Sequence, residues 1–221
     1  MKFYIPIFSK TWNFKDKLFG LSKLFSHKKQ TEILIPDQKF LTFIPIKQKV
    51  NNMSDILIRK DTKFFVIHCS ATRPINHVTV DMLRQWHLQR GFSDIGYHYY
   101  ITTDGTIHKG REPDDCVGAG VKGHNDNTLH ICLEGGLNNN SGAPSNTYTS
   151  QQFLSLNNLI HLLVKKYPHA EVLGHRDLSP DSNHDGIIET NEFLKACPCF
   201  NAISWAQANN LPYAKLTKET Q

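Results

Sequence analysis

Cysteine is scarce in this chain, with only five among 221 residues. An odd number of cysteines does not build a closed disulfide framework, least of all when one of them is a candidate metal ligand. We therefore expect free thiols and synthesis in a reducing compartment, the cytoplasm.

Long apolar runs are also missing. No stretch approaches the roughly 20 apolar residues that a membrane-spanning helix needs, so stable membrane insertion is not expected. The apolar patches at residues 3–8 and 18–25 are interrupted by proline or lysine, and no small-residue cleavage site follows them cleanly. This pattern argues against a secretory signal peptide. No internal repeat and no wall-binding repeat is visible.

The apolar periodicity predicts one α/β domain. Its centre is expected to be a β-sheet of about five strands, flanked by about three helices. Apolar residues recur at helical spacing from Val80 until Gly91, and Thr149 opens a capping box before a second, longer helix. Asp104-Gly105 is a hairpin signal. The predicted strands are 64–70, 97–103, 106–109, 128–133 and 171–173, and the predicted helices are 80–90, 149–167 and 200–209.

Two imidazoles and one thiolate suggest a metal site. His68 lies near the end of an apolar strand, His175 follows a second apolar run, and Cys197 precedes Pro198. Three protein ligands with a fourth position open to water are typical of hydrolytic zinc sites, whereas structural sites use four protein ligands. The sequence therefore predicts a zinc hydrolase.

The neighbouring thiols have simpler interpretations. Cys69 is adjacent to His68 on a strand, so the two side chains point to opposite faces and cannot serve one metal. We interpret Cys69, Cys116 and Cys132 as buried packing thiols. Cys199 stays open as an alternative ligand, although an open zinc site uses only three.

Four short strings occur in the order and approximate spacing of a known family: HCSAT at 68–72, GYH at 96–98, GHRD at 174–177 and KACP at 195–198. Over about residues 54–211 the chain resembles the zinc-dependent N-acetylmuramoyl-L-alanine amidases of the type 2 amidase and peptidoglycan recognition protein superfamily, the phage lysozymes in particular. The resemblance implies the fold of that superfamily. It also implies that His68, His175 and Cys197 are zinc ligands and that Tyr97 and Lys195 are catalytic side chains.

The same resemblance implies hydrolysis of the amide bond between N-acetylmuramic acid and L-alanine in peptidoglycan. Zinc lowers the pKa of bound water to about 7, which makes hydroxide available near neutral pH. Lys195 is expected to stabilise the oxyanion, with the Tyr97 hydroxyl as a further partner. Tyr97 and a carboxylate such as Glu134 both stay open as the general base. His98 is interpreted as a hydrogen-bonded core histidine.

One position departs from the family. Many relatives carry a histidine where this chain has Gly120. That position lies near substrate in the family, so we expect altered binding of the peptide stem, with His124 as a partial substitute.

Residues 181–192 match the EF-hand calcium-loop pattern D-x-[DN]-x-[DN]-G-x5-E at every constrained position. The alternative is an acidic surface loop. Because the loop lies between His175 and Lys195, bound calcium is expected to hold Lys195 and the third zinc ligand in place. The predicted oxygen ligands are Asp181, Asn183, Asp185, the Ile187 carbonyl, Glu189 and Glu192.

Acidic charge is nearly absent from the first 52 residues, which carry ten lysines against Asp16, Glu32 and Asp37. Their net charge is +7, and the chain total of +5 leaves −2 for the rest. Such a segment is typical of a basic arm for wall polymer, membrane or nucleic acid. However, Met53 directly precedes the family-like region. We interpret residues 1–52 as a disordered or over-extended start, and 53–221 as the amidase domain.

A cytoplasmic enzyme with an external substrate suggests a phage or prophage endolysin, released when the inner membrane is permeabilised. A cytoplasmic amidase that recycles muropeptides fits equally well. Two non-catalytic alternatives also stay open: peptidoglycan binding alone, and regulation of a phage RNA polymerase, a second role of some phage relatives. We expect a monomer.

Overall fold

The computed structural model describes residues 56–215. The basic segment 1–52 and its predicted character lie outside the described residues. Within residues 56–215, no helix is long and apolar enough to cross a bilayer.

A five-stranded mixed sheet forms the centre of the described region, in the order β3-β2-β4-β1-β5. β1 pairs in parallel with β4 and with β5, β2 pairs in parallel with β4, and β3 joins β2 as an antiparallel hairpin. The strands are β1 (Phe64–Cys69), β2 (Tyr99–Ile101), β3 (Ile107–Lys109), β4 (Thr128–Leu133) and β5 (Glu171–Gly174).

Three α-helices accompany the sheet: α1 (Val80–Gln89), α2 (Ser150–Lys166) and α3 (Ala202–Ala208). Thr149 caps α2 with the predicted capping box, because its side chain accepts from Gln152 N–H while the Gln152 side chain accepts from Thr149 N–H. The predicted α/β class and the count of five strands and three helices are confirmed. β2 is shorter than predicted, since Thr102 Oγ1 bonds to Asp104 in a local turn that ends the strand.

The two faces of the sheet bury different sets of side chains. One face carries Phe65 and Ile67 and packs against α2 in the larger apolar cluster. The other face carries His68, which is in register with Cys132 of β4, which is in turn in register with Tyr100 of β2. α1 packs on Tyr100 and Cys132. His68, at the end of β1, is not part of this apolar cluster.

Candidate metal centre and active site

Two neighbouring parallel strands deliver the two histidines to the same edge of the sheet. His68 is the penultimate residue of β1, and His175 directly follows β5, whose Gly174 is in register with Ile67. Because the strands are parallel, their carboxyl ends meet at one edge, where sites accumulate in α/β folds. This is why residues more than one hundred positions apart become neighbours.

The third donor, Cys197, completes a compact group. The Nδ1 atoms of His68 and His175 lie 3.1 Å apart, and Cys197 Sγ lies 3.9 Å from His68 Nδ1. All three ligand atoms lie within 4.8 Å of one another. Among residues 56–215, this is the one group of three or more His, Cys, Asp or Glu side chains gathered in this way.

These spacings fit a single zinc ion. Zn–N bonds of about 2.0–2.1 Å and a Zn–S bond of about 2.3 Å place tetrahedral donors roughly 3.3–3.6 Å apart, close to the separations seen here. Two imidazoles and one thiolate are also a donor set that zinc accepts. The group therefore matches a zinc site with one position left for water or substrate.

Backbone hydrogen bonds hold the two loop ligands in place. Arg176 N–H donates to the Cys197 carbonyl at 2.8 Å, which links the segment after β5 to the cysteine. Cys69 N–H donates to Cys197 Sγ at 3.2 Å, which ties the cysteine to the end of β1. Asp177 Oδ2 accepts from Gly174 N–H at 2.7 Å and closes the short 3-10 turn that begins with His175.

The electrostatics of the site favour neutral imidazoles. Burial, followed by the charges of His175 and Lys195, holds the pKa of His68 well below its ordinary value of 6.5. Burial and then Lys195 lower the pKa of His175 to about 4. Neutral imidazole is the form that binds metals, so both histidines are in that form near neutral pH.

The two side chains that the family resemblance marks as catalytic lie beside this group. The Tyr97 ring centroid is 5.0 Å from that of His68 and 5.3 Å from that of His87, and the residue lies two positions before β2. Burial raises the pKa of Tyr97 well above 10, so the phenol keeps its proton. Lys195 is exposed, and its charge acts on both zinc-site histidines.

Glu134, which the sequence left open as a general base, is a structural carboxylate. Its side chain is fully buried and accepts from Val78 N–H at 2.6 Å and from Thr103 N–H at 2.9 Å. The partly exposed His77 contacts the same carboxylate at 3.0 Å. These contacts join the loop before α1 to the end of β2 and argue against proton transfer by Glu134 at the metal site.

The remaining thiols lie outside the metal group. Cys69, Cys116 and Cys132 are buried, as the sequence predicted. Cys199 Sγ contacts the Gly136 carbonyl at 3.2 Å and Cys69 Sγ at 4.0 Å, so it is directed away from the metal group.

His130 is the site residue that sequence reasoning missed. It is fully buried on the same face of the sheet as His68, and its Nδ1 lies 3.0 Å from His68 Nε2. Its ring also occupies the space beside Gly120, where an added Cβ would lie 2.5 Å from His130 Nδ1. The side chain next to Gly120 is therefore His130, and a role of His124 in binding the peptide stem stays a prediction.

A cleft of about 370 Å³ lies next to the loop that follows β1. One part of the cleft is lined by Ala71 and Thr72, which follow shortly after the strand that carries His68. Another part is lined by Met82 and Trp86 of α1. Its lining is Ala71, Thr72, Arg73, Asn76, His77, Val78, Met82, Trp86 and Leu137.

In the predicted calcium loop, the acidic side chains accept hydrogen bonds from backbone N–H groups of the same loop. Asp181 accepts from the backbone N–H groups of His184 and Gly186, and Glu192 accepts from those of Ser182 and Asn183. Gly186 has the left-handed conformation, φ 88°, that the sharp turn requires. The loop carboxylates do not form a gathered group like that of the zinc site among the described residues.

The chain is similar to known amidases and endolysins. The profile of the family described as N-acetylmuramoyl-L-alanine amidase matches residues 59–187. The endolysin of Enterobacteria phage K11 is 38% identical over 153 residues, which span 69% of this chain and 91% of the relative. The endolysin of Escherichia phage T7 is 36% identical over the same shares of the two chains.

The fold is found in solved structures as well. The endolysin N-acetylmuramoyl-L-alanine amidase LysCS from Clostridium intestinale aligns with a TM-score of 0.59 at 26% identity, over 78% of this chain and 97% of that one. Since the family profile covers more than half of the sequence, the chain belongs to the N-acetylmuramoyl-L-alanine amidase family.

Proposed function

We propose that this amidase is zinc-dependent, with His68, His175 and Cys197 as metal ligands and Tyr97 and Lys195 as its catalytic side chains. The observation that carries the proposal is the convergence of two imidazole Nδ1 atoms and one thiolate at the sheet edge, with donor spacings of 3.1 and 3.9 Å. Zinc, when bound there, supplies Lewis-acid activation of water and of the amide carbonyl.

The chain's own residues then stabilise the charge that develops on the amide oxygen. Burial raises the pKa of Tyr97 well above its ordinary value, so its protonated hydroxyl can donate a hydrogen bond to that oxygen. Lys195 contributes a positive charge that acts on both His68 and His175, and its side chain is exposed. Donors directed at a developing oxyanion are worth roughly 10²–10³-fold in rate.

The cleft beside α1 provides a place for the peptide stem of the substrate. Its lining includes residues 71–72, which follow closely after the strand with His68, and this proximity in sequence supports the assignment. Arg73 offers a cation for a stem carboxylate, and Trp86 offers an aromatic surface.

We further propose that the protein is a phage or prophage endolysin that degrades the host wall during lysis. Phage proteins of that name are 36–38% identical to it, and the aligned region covers 91% of their length. The amidase domain in this proposal comprises residues 53–221.

The test is the chemistry of the products. Purified peptidoglycan is incubated with the zinc-loaded protein, and the soluble fraction is examined by mass spectrometry, with Cys197→Ala as the control. Stem peptides with a free L-alanine amino terminus, released by the wild type alone, are the expected result. Intact glycopeptides from both proteins would reject the amidase activity for this chain.

Calcium binding by residues 181–192 is a separate proposal, supported by the complete loop motif, by Gly186 in the required conformation and by the near burial of Asp181 and Glu192. Calcium would replace the N–H groups that these carboxylates now accept from. Adding calcium to the chelated, zinc-reloaded protein should raise its melting temperature, and Glu192→Gln should abolish that rise. The same melting temperature with and without calcium would reject the proposal.

A further inference from the structure

His130 stands directly behind the zinc ligand His68. The two rings come from adjacent parallel strands, with centroids 5.1 Å apart and planes inclined at 63°. His130 Nδ1 is 3.0 Å from His68 Nε2, the nitrogen on the side opposite to the metal group. Both imidazoles are fully buried, so their ring nitrogens depend on neighbouring groups for hydrogen bonds.

The outer nitrogen of His130 is held by Asn125. His130 Nε2 lies 3.0 Å from Asn125 Oδ1, which also accepts from the backbone N–H groups of Gly120 at 2.9 Å and Val121 at 3.0 Å. Two backbone donors on this atom identify it as the carbonyl oxygen of the amide, because the amide nitrogen cannot accept. Asn125 therefore presents an acceptor to His130.

This acceptor fixes the protons along the chain of contacts. His130 Nε2 must carry a hydrogen in order to bond to Asn125 Oδ1, and in a neutral imidazole the other nitrogen, Nδ1, is then an acceptor. His68 Nε2 must in turn donate to that nitrogen. The lone pair of His68 is thereby left on Nδ1, the atom that faces His175 and Cys197.

We propose that His130, oriented by Asn125, is a positioning residue of the metal centre that selects the His68 tautomer with Nδ1 free to bind the metal. The inference rests on the proposed zinc function of the site. Partners of this kind on metal-ligating histidines typically change metal affinity by 10–100-fold.

The loop around residue 120 is shaped to admit this ring. An added Cβ on Gly118 would lie 2.5 Å from His130 Cδ2, and one on Gly120 would lie 2.5 Å from His130 Nδ1. A side chain at position 118 or 120 would therefore clash with the imidazole of His130 in its present position. Gly120 is thus part of the arrangement that places a histidine behind His68.

The first test measures zinc dissociation constants by chelator competition. His130→Leu keeps a buried side chain but removes the acceptor, and we expect 10–100-fold weaker zinc binding. Asn125→Ala should weaken binding in the same direction. His130→Asn places Oδ1 where Nδ1 was and should restore most of the affinity. The control His161→Ala, at an exposed histidine of α2 outside the chain of contacts, should leave the affinity unchanged.

The second test needs no substitution. Nitrogen-15 NMR of the unsubstituted protein reports which ring nitrogen of each histidine carries hydrogen, and we expect Nε2–H for both His68 and His130. Nδ1–H at either ring, or equal zinc affinity in wild type, His130→Leu and Asn125→Ala, would overturn this inference. A wild-type protein that binds no zinc would instead overturn the proposed function.

Discussion

Replacing Asp177 by alanine should loosen His175, which we propose as a zinc ligand. Asp177 is 6% exposed, and its Oδ2 accepts from Gly174 N–H at 2.7 Å across the turn that carries His175. The alanine variant leaves that buried N–H unpaired, which costs about 1–3 kcal/mol. Its ion pair with Arg176, at 3.6 Å, adds little because burial already raises the pKa of Asp177 and disfavours its charge.

For a domain of this size, 1 kcal/mol corresponds to about 2–4 °C in melting temperature, so a loss of about 1–3 kcal/mol should make Asp177→Ala melt about 2–12 °C lower than wild type. It should also bind zinc more weakly, since the same turn donates to the Cys197 carbonyl. Asp177→Asn keeps an acceptor for Gly174 N–H, so its melting temperature and its zinc affinity should both fall much less. Calorimetry and chelator competition measure the two effects, and an alanine variant indistinguishable from wild type in both would refute the reasoning.

Three further predictions follow from the site. Tyr97→Phe should lower kcat roughly 10²-fold, as the loss of one oxyanion donor does, while bound zinc stays unchanged; a variant with full activity would remove Tyr97 from the mechanism. Gly120→Ala should cost about 1–3 kcal/mol and weaken zinc binding, because its Cβ would lie 2.5 Å from His130 Nδ1; unchanged melting would show that the ring has room to move. The metal-free protein should lose stability as pH falls from about 6.5 to about 3, because burial lowers the pKa of His98 to about 3 and only the unfolded chain takes up the proton. The slope is up to about 1.4 kcal/mol per pH unit for each such histidine, and urea unfolding at pH 7 and pH 5 measures it; equal stabilities would contradict the sign.

Local signals made much of the fold predictable. Apolar periodicity and the Thr149 capping box located α1 and α2 to within one or two residues, and the run from Thr128 to Leu133 was predicted with its observed bounds. These features depend on residues close together in sequence.

The partners of the zinc ligands were not predictable from the sequence, since they depend on strand order. In the sequence, His130 is one polar residue in the alternating pattern of β4. Its neighbours in sequence do not indicate that β4 pairs with β1, which is the pairing that brings His130 next to His68. Glu134 was open as a base for the same reason. Its role as an acceptor for Val78 and Thr103 backbone groups appears only when two loops meet around it.

The most direct test of the central claim is a titration of the metal-depleted protein with zinc, with amide cleavage of peptidoglycan measured at each step. The account predicts that activity rises in proportion to bound zinc and saturates at one ion per chain. It also predicts that Cys197→Ala neither retains that ion nor gains activity. Full activity in the metal-depleted protein, or activity in Cys197→Ala equal to wild type, would contradict the assignment of His68, His175 and Cys197 as the catalytic metal centre.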